Sequence, residues 1–325
     1  MNVRAAQVIL GAVLIALVAS GCSGAKHDAK TITLYTCATD TVEQAVIKAY
    51  EDKHSGTKVD VFRAPTGKLN ARVAADVRSG GIKADVIWAC DPLTMHQYDK
   101  QGLLKDWSAT GAGAIPAKYR TRRYVGVDLL YLIAVVHKGT SPPATWADLT
   151  KPTYRSAVAV PSPTFAASAL GMLGYFAGAP AYGIDYYTRL KSNGAKQLDS
   201  PDDVLTGVAQ GTYRAGFALA NAAYSARKKG SPVEVVWPKP GAIAIYAPIG
   251  ITTRKGGSTR AAAFASFVAS REGQTIMAKA GAYTTLPGLP GPPIPAGSPI
   301  VSPDWPTLFG DSTTLLSRYA KVFGG

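Results

Sequence analysis

The stretch ADVIWACDPLTMHQYDKQGLL, Ala84 to Leu104, decides how the rest of the chain is read. Asp85-Val86-Ile87-Trp88 is short, apolar and partly β-branched, which predicts a buried strand. Asp91-Pro92 turns the chain, and a helix follows through Leu93, Gln97 and Asp99 to a stop at Gly102. Trp88, Cys90 and Asp91 therefore fall just past the carboxyl end of a strand, the edge at which open α/β sheets bind ligands.

The same strand-loop-helix pattern occurs twice upstream. Ile32-Thr33-Leu34-Tyr35 predicts a strand, Thr36 to Thr39 a polar loop, and residues 41–53 a helix carrying Val42, Ala45, Val46, Ala49 and Tyr50 at helical spacing. Val59 to Phe62 predicts a second strand. Ala64-Pro65-Thr66-Gly67 leads from it into a helix through Leu69, Val73 and Val77, ended by Gly80-Gly81. Three consecutive units of this kind imply a parallel sheet with right-handed crossovers.

Downstream, residues 129–136 read as a longer apolar strand and Ala157 to Val160 as another, with Pro161-Ser162-Pro163-Thr164 opening a helix over 165–176. Residues 184–191 are amphipathic, and Ser200-Pro201-Asp202-Asp203 starts the next helix with proline at an early position. Residues 215–220 form a strand opening into Asn221-Ala222-Ala223-Tyr224, and 233–237 and 243–251 are further strands. A helical pair breaks near Arg271-Glu272-Gly273. The Pro/Gly-rich residues 286–303 predict an extended surface strap, and 305–323 a closing helix.

The chain has 325 residues, 47% apolar and 17% charged, which is globular and large enough for two lobes. Its start is specialised. Arg4 precedes an apolar run from Val8 to Val18, too short for a permanent membrane span, that ends in Ala19-Ser20-Gly21-Cys22. This resembles a lipoprotein signal peptide, with Ala19 where leucine is usual. The resemblance implies cleavage after residue 21, diacylation of Cys22 and residues 22–30 as a tether, and two acyl chains anchor stably.

The formal charge is +14, and loss of residues 1–21 removes only Arg4 from it. Lysine and arginine are scattered, without the basic-aromatic interleaving that reads nucleic acid, so the surplus charge points to an acidic surface or an anionic ligand.

Catalytic and metal motifs are missing. His27, His54, His96 and His137 include no pair at metal-ligand spacing, and there is no CxxC. Gly67-Lys68 lacks the rest of a P-loop, Gly111-Ala112-Gly113 meets Pro116 where a dinucleotide fingerprint needs glycine, and no serine stands in a nucleophile elbow. What recurs is small polar residues at helix starts after strands: Thr36 and Thr39, Thr66 and Gly67, Ser162 and Thr164. Helix starts offer unpaired N–H groups and partial positive charge, which suit an anion.

Six segments in order resemble the substrate-binding proteins of ABC importers, in the cluster of ferric-iron and organophosphonate binders. They are TLYTCATDTVEQAVIKAYEDKHSGTKVDV, ADVIWACDP with HQYDKQGLL, TWADLTKPTYRSAVAVPSPT, DYYTRLKSNGA, VLTGVAQGTYRAGFALANAA and SREGQTIMAKAG. The resemblance implies an α/β, two-lobed periplasmic-binding-protein fold of type II, each lobe a mainly parallel sheet flanked by helices. Residues 31–128 and 252–325 would form lobe 1, and 129–251 lobe 2 with the crossover strands. It further implies a lipid-anchored monomer that hands one small solute to permease and ATPase subunits, without catalysis, cofactor or nucleic acid. An exported enzyme or a sensory or adhesive lipoprotein on the same fold is the alternative.

Ferric binders of this cluster carry adjacent tyrosines just after the strand that here ends at Ala220. This chain has Ala222-Ala223 in that region, and Tyr186-Tyr187 sits in a helix that packs. A phosphonate, phosphate ester or similar oxyanion thus ranks above ferric iron or a ferric chelate, and no metal site is expected. The expected ligand set is Thr36, Thr39, Thr66, Gly67, Ser162 and Thr164 for the anion, Trp88, Tyr224 and Tyr246 as walls, and Asp91 or Asn221 as selectors. In the usual 2-1-3 strand order Cys37 and Cys90 end adjacent strands, within reach of a disulfide.

Overall fold

A computed structural model describes residues 30–324. Cys22, the signal segment and all but the last residue of the tether lie outside the described residues. Among the described residues no helix is long and apolar enough to cross a membrane.

The three opening units fold as the pattern dictates. Strand β1 (Thr31–Thr36) leads to helix α1 (Asp40–Lys53), β2 (Lys58–Arg63) to α2 (Thr66–Arg78), and β3 (Val86–Trp88) to α3 (Pro92–Lys100). β1 pairs in parallel with both β2 and β3, giving the 2-1-3 order. Asp85 itself stays outside β3: its carboxylate accepts from the Thr33 and Ser258 amides and from Arg254, which fixes the strand's entry.

The chain then crosses in β4 (Tyr124–His137). The second lobe is built from β5 (Val158–Pro161), α4 (Ala167–Gly178), α5 (Asp185–Ser192), β6 (Lys196–Leu198), α6 (Pro201–Ala209), β7 (Ala215–Leu219), α7 (Ala220–Lys228) and β8 (Val233–Val236). β9 (Ala242–Ile251) returns, followed by α8 (Ala261–Ala269), α9 (Arg271–Lys279), the short β10 (Tyr283–Thr284) and β11 (Ile300–Val301), and α10 (Trp305–Phe323).

One sheet, ordered β2-β1-β3-β9-β4-β7-β5-β6, runs through both lobes. β4 and β9 pair antiparallel at its centre, with a bulge between Gly126 and Asp128. The bulge marks a change of core. Val125, Val127, Ile249 and Ile251 pack into the first lobe with α1, α8 and α9. Leu130, Leu132, Ile243 and Ile245, a few residues along the same strands, pack into the second with α4 and α5. Both strands are buried on both faces, which is why they read as unbroken apolar runs.

Further details differ from the sequence reading, β4 starting at Tyr124 rather than 129 among them. α4 starts at Ala167, because Phe165 is left exposed in the loop before it. α10 does not belong to the first lobe alone: Phe309 stacks on His96 of α3 and Trp305 packs beside Tyr246, but the helix spans to the other side. Its Leu308, Leu315 and Tyr319 share the second lobe's core with Trp146, Phe176, Tyr186 and Tyr187. Gly174 on α4 permits this docking, since a Cβ there would stand 2.7 Å from Leu308 Cδ2. The strap before α10 is extended, and its last residues pair as β11 with β9.

Candidate functional site

The carboxyl ends of the strands of the two lobes meet around a cavity of about 160 Å³. The first lobe supplies Cys37 to Thr39, Arg63 to Thr66 and Cys90; the second supplies Phe165 to Ser168, Ser200 to Asp202 and Leu219. Asp128 and Leu130 of β4 and Ala247 of β9 complete the lining at the crossover strands. A larger groove of about 580 Å³ runs between α4, the strap and α10 on the second lobe and does not reach these strand ends.

The cavity is bordered by the beginnings of five helices: α1 after Thr39, α2 after Pro65, α4 after Ala166, α6 after Ser200 and α7 after Leu219. Only Ser200 caps its own helix with a side chain, accepting from the Asp203 amide; Thr39, Pro65, Ala166 and Leu219 make no side-chain cap. Each start carries roughly half a positive charge and amides without intrahelical partners. Arg63 adds a full charge, and its Nε is steered by donating to the Ala38 carbonyl at 2.7 Å. The combined field favours negative charge in the cavity.

The lobes touch at its rim. The Gly67 amide of α2 donates to the Phe165 carbonyl across the gap at 3.2 Å. On the first-lobe wall Cys37 and Cys90 form a disulfide with Cα atoms 5.8 Å apart, and the Thr66 hydroxyl lies 3.7 Å from Cys37 Sγ.

The expected site residues separate into two groups. Thr39 and Thr66 line the cavity, and Gly67 sits beside it with its amide on the opposite lobe. Thr36, the last residue of β1, is fully buried and outside the cavity lining, its hydroxyl accepting from the Ala38 amide at 3.0 Å. Ser162 is buried and accepts from the Thr164 amide, while Thr164 itself is exposed. Neither lines the cavity. Trp88 is wholly buried in the first lobe's core, with its indole nitrogen unpartnered. Asp91 is buried and caps α3 through the Thr94 amide at 2.7 Å; burial pushes its carboxyl up to about 6. Tyr246 packs between Tyr119 and Trp305. Tyr224 accepts a hydrogen bond from Trp237 Nε1, and the half-buried Asn221 has an unpartnered Oδ1 in the first turn of α7. Tyr186 and Tyr187 are core residues, Tyr186 donating to the Trp146 carbonyl.

Sequence reading passed over Arg63, Asp128, Ser200 and Asp202. Arg63 ends β2, so the strand-end rule that selected Thr36 and Thr66 applies to it equally. Asp128 carried its own signal as the one acid in the apolar run YVGVDLLYLIAVV, Tyr124 to Val136. It is 4% exposed, its Oδ1 accepts from the Leu129 amide at 2.8 Å, and burial pushes it up to about 8.

A family model described as bacterial extracellular solute-binding protein matches residues 32–282. No curated protein matches the chain. Among solved structures, the periplasmic binding protein AfuA from Actinobacillus pleuropneumoniae, with exogenous fructose-6-phosphate bound, is similar at a TM-score of 0.79. It is 19% identical over 90% of this chain and 99% of that one. The substrate-binding protein of an ABC transporter from Agrobacterium tumefaciens gives 0.78 at 16% identity, over 92% and 96% of the two chains. Iron-bound HitA from Pseudomonas aeruginosa gives 0.74 at 17%, over 90% and 99%. At these identities the structures speak for the two-lobed fold alone.

Proposed function

Because the chain belongs to the bacterial extracellular solute-binding proteins, we propose that it captures a small oxyanion in the interlobe cavity and delivers it to the permease of an ABC importer. The observation that carries this reading is the meeting of five helix starts and Arg63 around one cavity. A cavity of about 160 Å³ is smaller than the sites that take drug-sized ligands, which supports a guest such as a phosphonate or a small phosphate ester. Ferric iron ranks lower, since no tyrosine is among the residues lining the cavity and Tyr224 is engaged by Trp237. AfuA, with its bound phosphate ester, and HitA, with its iron, lie within the same fold, so fold does not choose between the guests.

In this reading the protein does no covalent chemistry. The lobes open and close about β4 and β9, and the rim contact between Gly67 and Phe165 belongs to the closed form. Cys22 carries the lipid, residues 23–30 give reach, and the protein stands as a monomer on the outer face of the cytoplasmic membrane beside its permease and ATPase.

Calorimetry of residues 31–325 against inorganic phosphate, methylphosphonate, glycerol phosphate and ferric citrate tests the reading. The expected result is one-to-one binding of at least one oxyanion at micromolar affinity or better. Heat from ferric citrate alone overturns it.

A further inference from the structure

Asp128 stands apart from the other groups around the cavity. It sits at the bulge in β4, opposite Ala247 of β9 and Thr284 of β10, where the two cores meet. Asp128 is among the residues lining the cavity, and the Leu129 amide is the one donor its carboxyl meets among the described hydrogen bonds. An oxyanion drawn in by the helix starts would meet this carboxyl. A carboxylate in that position would repel the guest in a site with little water to screen the contact. A carboxylic acid would instead donate its O–H to it.

We propose that Asp128 is the specificity-determining contact of the solute site, a neutral carboxylic acid that donates its proton in a hydrogen bond to the oxyanion, so that anion and proton are held together. This rests on the oxyanion reading above. The cavity selects guests that offer a lone pair at the β4 bulge, and it disfavours those that present an N–H or O–H there, such as an ammonium group.

Other acids near the cavity are raised as well, Glu43 beside Arg63 to about 7 and Asp202 by burial, but D128N leaves both in place, so their titration cancels in a comparison of the two proteins. Arg63 and Asp202 line the cavity with Asp128, Tyr131 follows on β4, and Tyr246 of β9 and Tyr283 of β10 stand next to its sheet partners Ala247 and Thr284, opposite Leu129. Burial raises all three tyrosines, so none ionises between pH 6 and 9.5. Burial also keeps Asp128 protonated in the empty cavity until about pH 8. Anion binding raises that value further, so affinity is full below pH 8 and falls about tenfold per pH unit above it.

The test uses residues 31–325 with methylphosphonate and inorganic phosphate as probes, comparing the wild type with D128N between pH 6 and 9.5. The probe's own titration is common to both proteins and cancels in the ratio of their Kd values. The expected ratio, wild type over D128N, is flat below pH 8 and rises about tenfold per unit above it. In case D128N does not fold, calorimetry of the wild type at pH 9 in buffers of different ionisation enthalpy counts protons directly. Uptake of about one proton per bound probe is expected there. A flat ratio, a ratio that rises on acidification, or no proton uptake at pH 9 overturns the Asp128 proposal and leaves the oxyanion reading standing. Failure of both probes to bind overturns the two together.

Discussion

Cutting the Cys37–Cys90 disulfide tests both the stability of the first lobe and the integrity of the cavity wall. The bond joins residues 53 apart in sequence, tying the loop after β1 to the turn before α3. On the chain-entropy model a closed loop of this length stabilises the fold by about 4 kcal/mol. For a chain of this size, melting as one unit, that corresponds to a Tm lower by about 6 °C once the bond is removed. The drop is larger if the first lobe melts alone, because the same free energy is spread over a smaller unfolding entropy. Differential scanning calorimetry of residues 31–325, untreated, reduced, and as the C37A/C90A double variant, reads this directly. Mass spectrometry after alkylation records the thiol state of each sample. A Tm shift under about 1 °C between samples of proven oxidised and reduced state would refute the reasoning, since no plausible loop-closure term is that small.

Other perturbations probe the site and its supports. Arg63→Ala removes the charge that the Ala38 carbonyl aims at the cavity, and oxyanion affinity should fall at least tenfold by calorimetry, as for loss of a charge-assisted hydrogen bond. Asp85→Ala breaks a buried pair with Arg254 and strands two amides, those of Thr33 and Ser258. Urea unfolding should show a loss of about 3–5 kcal/mol. Glu43, buried on α1 with Oε2 unpartnered, is pushed up to about 7 by burial, with Arg63 easing the shift. Its folded value lies above its unfolded one of about 4.5, so its contribution is full below 4.5 and is lost as pH rises through 7. Glu43→Gln should therefore stabilise the protein at pH 8 by about 3 kcal/mol and at pH 4.5 by much less, measured by denaturant titration at both pH values.

The three opening units, the crossover strands and the adjacency of Cys37 to Cys90 were legible because each rests on local periodicity or on the 2-1-3 order. Thr39 and Thr66 were legible for the same reason: they lie at strand ends, and strand ends are set by sequence-local signals. Trp88 and Tyr246 were not. An aromatic near a sheet edge serves equally as cleft wall or core, and the choice depends on what packs over it, here α1, α8 and α9 for Trp88, Tyr119 and Trp305 for Tyr246. The placement of α10 was equally hidden. Its apolar face suits either lobe, and only the glycine at 174 opposite Leu308 shows which groove admits it. Asp128 was visible as an interruption in an apolar strand, yet its meaning depends on its place at the bulge and among the cavity residues.

The pairing of β3 with β9 also bears on how the chain comes to fold. Trp88 and Ile249 are neighbours in the sheet, so the first lobe lacks an internal strand until residue 251 has left the ribosome. The second lobe in turn waits for α10. Neither half has a complete core while the polypeptide is still growing, and contacts of such long sequence separation form slowly. For a protein that functions beyond the cytoplasm this delay is useful. A chain that closes late suits passage across a membrane before the Cys37–Cys90 bond forms.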